Sequence, residues 1–156
     1  MAKTIQAQQV MPWLLTAAAG YAVVKVLDKF FGKSAHDKGL EETDKTVKNE
    51  IKNEQNKGTR ASYSDAQFKT LADTLEDAMA GPGTDENKIY QAMVMMKNNL
   101  DILKLVDAFG IRNYWITSRL LGTNKNLGQW LRSDLSPDEI YQANLLLANN
   151  GVHYQF

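Results

Sequence analysis

The sequence predicts an all-α protein: a five-helix module over residues 64–151, preceded by an apolar N-terminal helix and a polar, potentially helical connecting segment. Three observations carry this expectation. Helix-start signals recur at Ser64, Thr84 and Ser136, each followed by apolar residues at three- and four-residue spacing. A single stretch without charge separates Lys3 from Lys25. No alternating pattern of comparable strength marks a strand. The expected boundaries are 1–32 for the apolar helix, 33–62 for the tether, 63–151 for the module and 152–156 for a tail.

The apolar helix rests on Val10 to Val24, which contains nothing more polar than Thr16, and continues through Val26, Leu27, Phe30 and Phe31. A spanning helix needs about 20 mainly apolar residues. The strict run is shorter, and the extended one suffices when Lys25 and Lys29 snorkel toward headgroups. Trp13 and Tyr21 are amphipathic rings suited to an interface, and Leu14, Leu15, Val23 and Val24 are the lipid-facing candidates. Three readings are open: a membrane anchor, a helix lying on a membrane or against a protein, and a cleaved signal peptide. The anchor is the expectation, with membrane lipids as partner through residues 10–31. Lys25, Lys29 and Lys33 outnumber Lys3, which places the module on the cytoplasmic side.

Residues 33–62 hold few large apolar side chains, chiefly Leu40, Val47 and Ile51, so the stretch reads as a tether. Its inner part, Glu41 to Gln55, has Val47 and Ile51 four apart with interleaved Glu and Lys, and both a spacer helix and a disordered linker remain open.

The module's first helix starts at Ser64 and presents Phe68, Leu71, Ala72, Leu75 and Met79; Gly81-Pro82-Gly83 stops it. Thr84 is expected to cap the second, with Asp85 and Glu86 in its first turn and Ile89, Met93 and Met96 on its apolar face. The third starts near Asn99 or Leu100 and carries Leu103, Val106 and Phe109 up to Gly110. A variable stretch with Tyr114, Trp115, Ile116, Leu120 and Leu121 follows, then turn residues from Gly122 to Asn126. A short helix holds Leu127, Trp130 and Leu131. The last opens on the capping box Ser136-Pro137-Asp138-Glu139 and ends at Asn150-Gly151. Met93, Met95 and Met96 are expected to fill the core, and Trp115 and Trp130 to be buried against the variable stretch. The tail from Val152 to Phe156 either folds back or pairs with a neighbour.

Charge excludes some functions. Residues 1–32 carry a net of +2, residues 33–60 of +1 and residues 61–156 of −3, giving the overall zero. A mildly acidic module lacks the basic face of a nucleic-acid binder, so no nucleic-acid partner is expected. With no cysteine, disulfide scaffolds and thiol chemistry are excluded. The two histidines, His36 and His153, are far apart in sequence, which argues against a histidine metal site. Asp85 and Glu86 form an acidic pair, but adjacent carboxylates at one helix start diverge, and capping accounts for them. No catalytic residue or obligatory cofactor is expected.

The segment Ala78-Met79-Ala80-Gly81-Pro82-Gly83-Thr84-Asp85-Glu86, followed by Ile89, resembles the loop that joins the first two helices of an annexin repeat. Downstream, Asp107-Ala108-Phe109 is similar to the end of that family's third helix, and Leu131-Arg132-Ser133-Asp134-Leu135 to its fourth. The resemblance covers a single repeat, where annexins usually carry four, and residues 110–124 hold about ten more positions than the family's spacing. It implies a calcium site formed by the carbonyls of Met79, Gly81 and Gly83 and the carboxylate of Asp134, with open positions for phospholipid phosphate. Asp134 is one methylene shorter than the family's more usual Glu. The reading placed ahead of this is that the same residues only end one helix and start the next.

The function expected from the whole is a non-enzymatic, membrane-associated structural or assembly protein, in a bacterial envelope or a lipid-containing virion, whose module contacts other proteins. A calcium-dependent module for anionic phospholipid is the alternative. An enzyme acting on glycans or lipids ranks third, since it requires a carboxylate or histidine in a cleft.

Overall fold

The computed structural model describes residues 37–115 and 122–156. The apolar helix expected over residues 10–31, with Trp13, Leu14, Leu15, Tyr21, Val23 and Val24, lies outside the described residues, as do Ile116 and Leu120–Leu121 of the variable stretch. Six helices and one hairpin are described, and the fold is mostly helical. In chain order they are α1 (Asp37–Asn56), α2 (Asp65–Met79), α3 (Glu86–Met95), α4 (Asn99–Phe109), β1 (Ile111–Tyr114), β2 (Thr123–Asn126), α5 (Leu127–Asp134) and α6 (Pro137–Asn149).

The polar segment expected as a tether is a packed helix. Charged on most sides, α1 nevertheless places Leu40, Thr43, Val47 and Glu54 in a buried stripe at three-, four- and seven-residue intervals, and it lies on α4 and β2. Glu54 is buried because Lys57 and Thr59 satisfy its two oxygens, at 2.7 and 3.1 Å. The link from α1 to α2 is also fixed. The Ser62 backbone N–H donates to Asp101 Oδ1 at 2.8 Å and the Lys97 N–H to Asp101 Oδ2 at 3.0 Å. Asp101 is fully buried, so one carboxylate joins two loops by charge-assisted bonds to backbone N–H groups.

The five module helices start where polar caps precede apolar runs. Ser64 and Ser136 form reciprocal capping boxes with Gln67 and Glu139, and Asn98 caps α4. At α3 the expected cap moves by one residue. Asp85, not Thr84, accepts the Lys88 N–H on its side chain at 3.2 Å, because the Asp85 N–H already turns back to the Ala78 carbonyl at 2.9 Å.

The expectation of no strand is corrected. Ile111–Tyr114 pairs antiparallel with Thr123–Asn126, in the register Ile111↔Asn126 and Tyr114↔Thr123. The hairpin's alternation is hidden in sequence, since both strands are mainly polar and draw their fixation from neighbours. Arg112 reaches back to Asp73 at 2.9 Å and to Glu76, and its guanidinium lies 4.6 Å from the Phe109 ring centre. Gly122 is required where β2 begins, because a Cβ there would come within 2.5 Å of the Tyr114 carbonyl oxygen.

Trp130 is fully buried between Phe109 and Tyr114, with ring centres 5.6 and 5.0 Å away in edge-to-face contact. Met93 and Met96 are fully buried in the core, and Met95 packs against it partly buried. The tail folds back: Val152, Tyr154 and Phe156 are buried, and the Asn144 side chain grips Phe156 by accepting its N–H at 2.8 Å and donating to its carbonyl at 3.1 Å.

Candidate functional site

The Gly-Pro-Gly loop and Asp134 are the positions the sequence singles out. The loop is a tight reversal from α2 to α3. Met79 ends α2 with its side chain buried, and Gly81 and Gly83 take positive φ angles of 94° and 89°. Such angles are open to glycine at little energy and are strained for other residues. Nothing lies within 4 Å of a Cβ built at either glycine, so it is backbone conformation that selects them. Asp85 and Lys88, 3.0 Å apart, form an exposed ion pair at the loop's exit.

Asp134 ends α5, which packs against α2, and belongs to a cluster that sequence reading misses. The Tyr114 hydroxyl donates to Asp134 Oδ1 at 2.7 Å, whereas Oδ2 is buried with no hydrogen-bond partner. Lys125 crosses the same tyrosine ring, its Nζ 3.8 Å from the ring centre, and donates to Ser133 Oγ at 2.7 Å. Burial pushes the Asp134 carboxyl above the ordinary range, against the opposing pull of the Tyr114 hydrogen bond and the Lys125 charge. Burial lowers the Lys125 amine, which Asp134 partly offsets. Tyr114 is pushed up to about 12, first by burial and then by the Asp134 hydrogen bond and charge. The cluster therefore straps the hairpin to α5. Tyr114 and Lys125 carry no helical spacing and are separated by residues 115–124, so no local pattern joins them.

The calcium ligand set can be tested against these residues. Among the described residues no group of three or more histidine, aspartate or glutamate side chains is placed to hold a metal. A set of three carbonyls and one carboxylate is of a different kind. Calcium takes six to eight hard oxygens. Asp134 Oδ2, buried and unpaired, suits that role, but Tyr114 already holds Oδ1 and Lys125 places a competing cation near the same carboxylate.

Elsewhere, a trough of about 320 Å³ is lined by Asp65, Phe68, Lys69, Lys104, Asp107 and Ala108. Its rim is neutralised by the Lys104–Asp65 pair at 2.7 Å. Comparison with protein-family models, with characterised proteins and with solved structures finds no match for this chain.

Proposed function

We propose that this chain is a non-enzymatic, membrane-associated structural or assembly protein, held at a lipid layer by residues 10–31 and contacting other proteins through its helical module. The observation that carries the reading is the packing of α1. Because α1 lies on α4, the module begins at Asp37, and residues 32–36 are all that separate it from Phe31, the last residue of the apolar run. Five residues reach at most about 18 Å when fully extended. A membrane-inserted segment thus holds the module against the bilayer surface, where a free tether of 33–62 would let it roam. Among the described residues no helix is long and apolar enough to cross a membrane, so insertion falls to residues 10–31. The setting that suits such a protein is a bacterial envelope or a lipid-containing virion. Alkaline carbonate extraction of membranes carrying the full chain tests this. Retention in the pellet, with release of a Leu14→Arg/Val23→Arg variant, supports it, and release of the unaltered chain rejects it.

The unpaired Asp134 Oδ2 favours a second reading, a calcium-dependent module for anionic phospholipid. Met79, Gly81 and Gly83 would supply carbonyls and Asp134 the carboxylate, and the ion would supply positive charge for a phosphate group. Calcium-dependent binding to anionic vesicles that Asp134→Ala abolishes would establish it.

A further inference from the structure

Among the described residues, two neighbouring helices present an uncharged, partly apolar surface. α3 and α6 pack together and run the same way. At one end burial, and then the charges of Glu139 and Glu86, push the Tyr90 hydroxyl up; at the other the Asn150 side chain donates to the carbonyls of Val94 and Met96, at 2.7 and 2.9 Å. From Ile89 to Met96 and from Ile140 to Asn149 neither helix carries a charge, in a chain that is 23% charged. Tyr141 is 68% exposed, Val94 45% and Leu145 39%, and Ala148 is exposed beside them. Tyr141, Leu145 and Ala148 fall at four- and three-residue spacing, so they form one stripe along α6.

The ends of this stripe differ in charge. At the start of the two helices four carboxylates, Asp85, Glu86, Asp138 and Glu139, outnumber the single cation Lys88, which pairs with Asp85 at 3.0 Å. Lys97 stands at the other end, its Nζ donating to the Val94 carbonyl at 3.0 Å, with exposed His153 close by in the tail. The carboxylate nearest Lys97 in sequence, Asp101, is buried and bonded to backbone N–H groups. The surface therefore reads acidic, neutral and apolar, then basic along its length. A twofold axis through the middle of such a stripe reverses one copy on the other. The acidic end then meets Lys97, and the tyrosine, leucine and valine side chains cover one another. An acidic or basic partner matches one end and is repelled by the other, so charge favours a second copy.

We propose that the α3–α6 face is a self-association surface, on which two copies of this chain pair antiparallel across Tyr141, Leu145 and Val94 with Asp138 of each facing Lys97 of the other. This names the partner in the assembly reading above and rests on its protein-contact half; the geometry is independent of the membrane segment.

The chain has no cysteine, so single cysteines report cleanly. The full chain, purified in detergent, would carry Leu145→Cys near the middle of the stripe or Lys52→Cys on the exposed side of α1, and be treated with a short bismaleimide. Circular dichroism would confirm the fold of each variant. A dimer band from Leu145→Cys several-fold stronger than from Lys52→Cys is expected. Adding Asp138→Lys or Lys97→Glu to Leu145→Cys is expected to weaken the band several-fold, and adding both to restore it. Equal bands from the two cysteines, no band, or no restoration by the double reversal would overturn the pairing. Because the protein is in detergent, these results stand apart from carbonate extraction: failure here with retention there removes the dimer and leaves the anchor.

Discussion

α1 and α6 are helices of opposite composition with opposite fates. α1 carries a charge at about every second position and is closed down onto α4 along a narrow stripe. α6 contains Leu145-Leu146-Leu147 and leaves Tyr141 and Leu145 in the open. Burial follows the angular position of apolar groups rather than their number. In α1, Leu40, Thr43, Val47 and Glu54 fall on one buried stripe with Ile51 packed beside it, so a few side chains dock the helix. In α6, Ala143 and Leu147 face the core and Ile140 and Leu146 pack against it partly buried, while Tyr141 and Leu145 meet no neighbouring element among the described residues. A polar helix is thereby integral to the module, while the apolar one supplies its bare face.

Four substitutions break or sharpen this contrast, in order of decreasing effect. Val47→Asp puts an unpaired carboxylate under α1, where Val47 is 2% exposed, and should destabilise the chain by about 3 kcal/mol. Hydrogen exchange should show α1 amides losing protection before those of α4; unchanged protection of α1 would mean that the stripe does not hold it. Asp101→Ala removes the carboxylate that bonds both the α1–α2 link and the α3–α4 loop, leaving the Asn98–Arg60 bond between them, and should cost roughly 2 kcal/mol in urea unfolding. Arg112→Ala releases the hairpin from α2. Its ion pairs are partly exposed, so about 1 kcal/mol is expected, with the change in amide exchange concentrated in β1 and β2. Leu145→Asp, on the bare face, should shift stability by no more than about 0.5 kcal/mol. A penalty as large as that of Val47→Asp would show that α6 is covered within one chain.

Acid titration sharpens the Asp134 cluster. The folded Asp134 carboxyl titrates above its unfolded value because burial opposes its charge. Its contribution is therefore most favourable below the unfolded pKa and is lost as pH rises through the folded one. Asp134→Asn keeps an acceptor for Tyr114 and removes this dependence. Relative to the unaltered chain, the variant should gain thermal stability at neutral pH and lose that advantage as pH falls toward 4. The opposite trend would mean that Tyr114 and Lys125 outweigh burial.

Much of this fold was legible in the sequence. The module helices follow from Ser64, Ser136 and the three- and four-residue spacing around Phe68, Ile89, Leu103, Trp130 and Leu147, because local capping and burial on one face agree there. The α1 contact was only half legible: Val47 and Ile51, four apart, allow a helix as well as a disordered linker, and nothing local says that α4 will cover Val47. The hairpin was illegible, since Arg112, Asn113, Asn124 and Lys125 are polar and their strand conformation comes from Asp73, Glu76 and Trp130, all distant in sequence. Of the candidate site, the glycine turn was readable from Gly81 and Gly83. The hold of Tyr114 on Asp134 was not, because it bridges the variable stretch.

The most direct test of the central claim is flotation of the full chain on vesicles of two compositions. On zwitterionic vesicles with EDTA present, the chain is expected to float, and the Leu14→Arg/Val23→Arg variant to remain in the dense fraction. Flotation that requires both calcium and anionic lipid, and that Asp134→Ala abolishes, would contradict the anchored assembly protein and establish the calcium-dependent reading in its place.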